Sequence, residues 1–349
     1  MKLLIHFGIY KAGSSYIQYI CANQRDYLID NNIYFPESKE DTKMKDGVIS
    51  KGNADGLDSA LKKEDDAKVH GILQKWCKTA LVRKCNTVLI SAEALVHQLA
   101  MQNRLDLIMN NANSIGYTEI KAMGFFRDLA DHALSTYKHR AKSGAIPNYV
   151  DWVSKVYETP KLIENLSHVI AKNKDIQWTL RKFQKDSDFL KQAFFTDWLG
   201  LRIPKFKTRP NINESITLSE VKAMNHIRKT YPAVTDYFCE ELKALPKKAK
   251  APDTALNQYV MNVFIIQLTP FSELLNQINI YFVNNEFIAV GQSLKVADIE
   301  PPMALSDTQF KILVERIIFF NTLKGRLILV RRRLVKILLN TKISHKVFN

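Results

Sequence analysis

The chain has 349 residues, 46% of them hydrophobic, and a formal net charge of +15, enough apolar side chains for one large core or two smaller ones, which excludes a disordered chain. Its four cysteines, Cys21, Cys77, Cys85 and Cys239, form no C-x-x-C pair and no zinc-ligand spacing, so they exclude a disulfide scaffold and read as reduced thiols in a cytoplasmic setting. No stretch approaches the roughly 20 apolar residues of a membrane-spanning helix.

In chain order, the opening run KLLIHFGIY, residues 2–10, reads as a buried strand. His6 and Lys11 interrupt its apolar character and no A-x-A site follows, so a strand is expected here in place of a secretory leader. Gly13-Ser14-Ser15 punctuates the chain, and the segment 14–32 then places Ile17, Ile20, Cys21, Gln24 and Leu28 at helical spacing. Residues 38–68, rich in Lys, Asp and Gly, read as a loop or irregular insertion. NTVLISAE (86–93) and IKAMGFFRD (120–128) are apolar runs ending in polar residues, each followed by a helix-like segment, and DIQWTLRKF (175–183) is a further short strand. Strands alternating with helices predict the α/β class: a parallel sheet flanked by helices, taking ligands at the carboxyl ends of its strands. No internal repeat is present. The predicted division is a main domain over 1–250, a mostly helical extension packed on it over 251–323, and a basic tail over 324–349.

The tail holds Lys324, Arg326, Arg331, Arg332, Arg333, Lys336, Lys342 and Lys346 with no acidic residue, about half of the whole positive excess. On a helical wheel Leu327, Val330, Leu334, Ile337 and Leu338 share one face and Arg332, Arg333, Lys336 and Asn340 the opposite one, with Arg331 intruding on the apolar side. That pattern predicts a basic amphipathic helix at an anionic membrane surface, against the alternative of a C-terminal helix docked on the domain. The remainder is a moderately basic globule suited to an anionic ligand, and no nucleic-acid partner is expected.

A loop between a parallel strand and its following helix offers free N–H groups and a positive dipole end to an anion. Here Gly13 permits close backbone approach, and Ser14 and Ser15 add hydroxyl donors. The Walker A pattern places its lysine after the second glycine, whereas Lys11 precedes Gly13 by two residues, which disfavours a nucleoside triphosphatase.

The stretch KAGSSYIQ resembles the K-[TS]-G-[TS]-[TS] loop of sulfotransferases that use 3′-phosphoadenosine 5′-phosphosulfate (PAPS), with Ala12 in place of the commoner Thr or Ser. HFGIYKAGSS and NNIYFPE resemble stretches of the bacterial carbohydrate-type members. FFRDLADHALSTYKHRAKSG, residues 125–144, resembles the family's 3′-phosphate motif, with Arg127 at a strand end and Ser135 eight residues later. The resemblance covers residues 1 to about 235 and implies a P-loop-like sulfotransferase fold, PAPS as donor, no metal, and a carbohydrate or glycolipid hydroxyl as acceptor. It implies cofactor contacts for Lys11, Ala12, Gly13, Ser14 and Ser15 at the 5′ side and for Arg127 and Ser135 at the 3′-phosphate. Tyr16 would stack on adenine, although packing into the core competes for it. Arg181 and the Asn213/Ser215 pair are implied cofactor or acceptor contacts, against plain helix capping for Asn213. For Arg127 the competing structural reading is a strand cap paired with Asp131.

Sulfuryl transfer needs positive charge at the leaving oxygen and a base for the acceptor proton. Lys11 meets the first need. Glu93, ending the strand VLISAE, looks like the family's base position, where partial desolvation beside a bound polyanion raises a carboxylate toward base strength, against the alternative of a helix N-terminal residue favoured by the dipole; His97, one turn later, is the reserve. His132 and His139 are expected over the cofactor or at the surface, and His6 near Lys11 or in the core. Two other classes remain open from the residues: a P-loop-type nucleotide kinase, and a catalytically degenerate scaffold held at a membrane by its tail. The predicted location is the cytoplasm, peripheral at the inner membrane face.

Overall fold

The computed structural model describes residues 1–142, 146–206, 216–230, 235–292 and 299–322. Asn213, Ser215 and the tail 324–349 lie outside the described residues. Five strands, β1 (Lys2–Gly8), β2 (Ile33–Tyr34), β3 (Thr87–Ser91), β4 (Glu119–Phe126) and β5 (Gln177–Lys182), form one sheet in the order β2-β3-β1-β4-β5. Every pairing is parallel, with Leu4 in register with Leu89 on one side and Lys121 on the other. The class is therefore α/β, a five-stranded parallel sheet flanked by helices. β1 and β3 are continuous apolar runs because neither face meets water, and all of β3 is buried. After β3 the chain crosses β1 to reach β4, so the strand order reverses direction at β1, where such sheets open a crevice at the carboxyl ends.

Two expectations need correction. The helix predicted over 14–32 is broken at Gln24 into Ser14–Asn23 and Arg25–Asp30, and β2 follows directly. Residues 38–68 are not an irregular loop: they contain the helices Asp41–Lys45 and Asp55–Lys62 and the start of Asp66–Val82. Met44, Leu57, Ala60 and Leu61 are essentially fully buried there. The charges that disguised this segment are paired: Lys39 and Lys51 both hold the buried Asp55, and Lys43 holds Glu40. Gly52 is required because it has φ +83° and an added Cβ would lie 2.0 Å from the Ser91 carbonyl oxygen.

Among the described residues the chain divides into two compact units. The first takes in Met1–Ala133, Val153–Ile212 and Phe264–Ser293, the second Leu134–Trp152, Asn213–Val263 and Leu294–Asn349. The division interleaves because the segment 281–290 joins the elements around the sheet. Leu129 and Ala130 donate N–H bonds to Ala289 and Val290 (2.9 Å each), and Val283 N–H reaches the Leu180 carbonyl at 3.2 Å. The second unit is helical, with helices including Leu218–Thr230 and Asp307–Asn321. Its buried Glu220 accepts from Gln309 Nε2 at 2.7 Å and pairs with Lys250 at 3.4 Å, so the charge is satisfied. Among the described residues no helix is long and apolar enough to cross a membrane.

Candidate functional site

β1 ends at Gly8 and the chain turns through Ile9–Gly13 into the helix Ser14–Asn23. Lys11 (φ 66°) and Gly13 (φ 88°) both take the left-handed conformation. At Gly13 a Cβ would stand 2.9 Å from Leu190 Cδ1 and 3.0 Å from Phe183 Cε2, so glycine serves both conformation and space. Among the described residues no side chain caps this helix and no acidic residue lies in its first turn; the Tyr16 N–H bonds the Gly13 carbonyl at 2.9 Å, which leaves the Ser14 and Ser15 N–H groups to an outside acceptor. Ser14 Oγ is buried without a hydrogen-bond partner among the described residues. This is a cradle that an anion's oxygens fit. Ala12 is fully buried; Ser15 is half-buried. Tyr16, also half-buried, meets the edge of Phe206 at 6.3 Å between centroids.

The ends of β3 and β4 close on this loop. Glu93 Oε1, after β3, accepts the Lys11 backbone N–H at 3.0 Å. Arg127 Nη1, after β4, donates to the Lys11 carbonyl at 3.2 Å. The Lys11 residue, in its unfavourable left-handed conformation, is thus held by its N–H from one side of β1 and by its carbonyl from the other. Arg127 also pairs with Asp131 at 2.6 Å and lies over the Phe183 ring at 4.7 Å, while its Nε is buried without a partner among the described residues. The competing reading of Arg127 as a partner of Asp131 is therefore realised together with a brace on the loop.

Burial pushes the Glu93 carboxyl up to about 7, against the opposing pull of Lys11 and its N–H. Burial also draws the Arg127 guanidinium below its ordinary value, opposed by Asp131. His97 is exposed on the short helix Leu95–Leu99, its ring 5.8 Å from that of Tyr10. Ser135 is half-buried in the helix Leu129–Ala141, within the part belonging to the second unit.

Arg181 is placed differently from its expected role as a cofactor contact. It is 4% exposed, and its Nε and Nη1 are taken by Glu286 (2.9 Å) and Asp197 (2.8 Å), with Phe189 beneath the guanidinium at 5.0 Å. Glu286 also accepts the Lys182 N–H at 2.6 Å, so this arginine ties the end of β5 to two distant segments. His132, expected over the cofactor or at the surface, is buried and shares a 2.7 Å hydrogen bond with Tyr157. His6 is buried between Phe125 and Phe194, with Nδ1 2.7 Å from Ser91 Oγ; burial draws it down to about 3, so it is neutral.

Residue-by-residue reading missed Phe183 and Asn53. Phe183 follows β5 directly, and an aromatic one residue past a strand end was its only local signal. Asn53 is buried, accepts the Ser91 N–H at 2.7 Å and donates to Leu89 O at 3.2 Å, fixing the strand that carries Glu93. Its partners stand 36 and 38 positions away, so no local pattern marks it. Comparison with protein-family models, with curated proteins and with solved structures finds no match to this chain.

Proposed function

We propose that the chain is a PAPS-dependent sulfotransferase that sulfates a hydroxyl of a carbohydrate or glycolipid, on a P-loop-like sulfotransferase fold. One observation carries the reading. The Lys11 backbone, at the reversal point of a parallel sheet, is held between Glu93 and Arg127, so a lysine, a carboxylate and an arginine stand around one glycine loop, which supports a reading that calls for positive charge and a base there. The unpartnered Ser14 Oγ and Arg127 Nε, and the space that a Cβ at Gly13 would fill, fit a phosphorylated donor.

The donor supplies an activated sulfuryl group whose bond to the 5′-phosphate oxygen breaks as the acceptor oxygen attacks in line. The N–H groups and hydroxyls of Ser14 and Ser15 hold the 5′-phosphate, with Ala12 and Gly13 contributing backbone. The Lys11 ammonium stabilises charge growing on the leaving oxygen. Arg127 grips the 3′-phosphate by exchanging its Asp131 partner for phosphate oxygens. Glu93 keeps Oε1 on the Lys11 N–H and takes the acceptor proton at Oε2; a carboxyl near 7 is half ionised at neutral pH and returns that proton readily. His97 is the alternative base. The tail, if it seats on anionic lipid, keeps the enzyme at the cytoplasmic membrane face, where lipid-linked glycans would be acceptors.

The test is calorimetric titration with 3′-phosphoadenosine 5′-phosphate and with adenosine 5′-phosphosulfate, which lacks the 3′-phosphate. Arg127→Ala is expected to weaken the first roughly 10- to 100-fold, since a charge-assisted phosphate bond contributes about 1.5–3 kcal/mol. The second should change far less, through the lost brace on Lys11 alone. Equal weakening of both ligands removes Arg127 from the 3′-phosphate, and failure of the intact chain to bind either one rejects the reading.

A further inference from the structure

The second unit contains a cavity of about 460 Å³ that lies outside the loop chemistry above. That volume is in the range of small-ligand sites. Two tyrosines wall it. Tyr137 is fixed by its hydroxyl, which donates to the Pro147 carbonyl at 3.2 Å, and by the edge of Trp152 at 5.4 Å; Tyr149 lies against Tyr259 at 6.4 Å. The helix Leu218–Thr230 turns Lys222, Asn225 and His226 into the same space, since positions i, i+3 and i+4 share a helix face. Lys222 Nζ meets Glu300 Oε1 at 2.5 Å, and Tyr149 also hydrogen-bonds Glu300. Although burial acts to raise it, these two partners hold the Glu300 carboxyl below its usual range, so it is ionised. Asn225 Oδ1 is covered from solvent and has no hydrogen-bond partner among the described residues.

The chemistry of this lining selects among ligands. An anion would meet Glu300, a cation would meet Lys222, and an apolar molecule would strip water from that pair without replacing its hydrogen bonds. A neutral ring carrying vicinal hydroxyls suits all of it. Each hydroxyl both donates and accepts, so adjacent ones can answer Glu300 and Lys222 side by side, and the C–H faces lie on the tyrosines. We infer that this cavity is a binding site for a neutral sugar ring. The site stands on its own residues; where the transfer reading also holds, the ring belongs to the glycan it serves.

The experiment is saturation-transfer NMR on the full chain with methyl β-galactoside, methyl β-glucoside, N-acetylglucosamine and lactose, with cyclohexanol and sodium cyclohexanecarboxylate as controls. Transfer to at least one sugar and to neither control is expected. Affinity should fall about tenfold or more in Glu300→Gln, and should fall in Tyr149→Phe, which keeps the wall and removes one hydroxyl. Circular dichroism melts identify variants that have lost their fold, and Tyr149→Phe then decides. No transfer to any of the sugars, transfer unchanged in the folded variants, or equal transfer to cyclohexanol overturns the assignment. Binding of 3′-phosphoadenosine 5′-phosphate, measured in the same samples, reports on the transfer reading separately.

Discussion

Replacing Glu93 by Gln gives a direct measure of what burial does to this carboxyl. Burial pushes this carboxyl up to about 7 in the folded chain from its ordinary value of about 4.5. A carboxyl with a higher folded than unfolded pKa binds its proton more tightly when folded, so folding is favoured in full below about 4.5 and loses that advantage as pH rises through 7. The difference corresponds to at most about 3 kcal/mol, an upper figure because the side chain is half-buried. Glutamine keeps Oε1 to accept the Lys11 N–H and cannot ionise. Urea unfolding of both proteins at pH 5, 6, 7 and 8 should show the wild type losing up to that amount relative to Glu93→Gln across the series. In a sulfotransferase assay the same variant should turn over roughly 10²–10⁴-fold more slowly with little change in donor affinity. Parallel stability profiles for the two proteins would refute the electrostatic argument, and unchanged turnover would transfer the base role to His97.

Gly13→Ala should lower stability by about 1–3 kcal/mol through its left-handed backbone, and Gly52→Ala by more, because its Cβ would meet a carbonyl oxygen of β3 where Gly13 meets only side-chain tips; thermal melts check the order. Arg181→Met strands Asp197 and Glu286 and should cost about 3 kcal/mol in urea titration, whereas a loss below about 1 kcal/mol would show that the triad is not structural. A chain ending at Thr322 should lose sedimentation with anionic liposomes that the full chain retains at low salt, and equal, salt-insensitive behaviour of both would reject a membrane role for the tail.

Composition and pattern determined much by local rules. β1, β3 and the end of β4 were legible because strands buried on both faces must be continuous apolar runs, whereas the edge strand β5 is mostly unburied and had only its short apolar core as a signal; the alternation with helices implied parallel pairing. The loop 11–15 was legible because glycine, lysine and two hydroxyls between strand and helix have few other uses. What stayed hidden depends on partners remote in sequence. Residues 38–68 looked like a solvated insertion because Lys39 and Lys51 were counted as surface charge, while the chain folds them onto a buried Asp55. Arg181 and Arg127 are both basic residues at a strand end, and that shared signal does not tell which of them meets Asp197 and Glu286 and which braces Lys11. A side chain's type sets what it can bond, and only the fold decides which groups come within about 3 Å of it, because a hydrogen bond or ion pair is worth its desolvation only at that range.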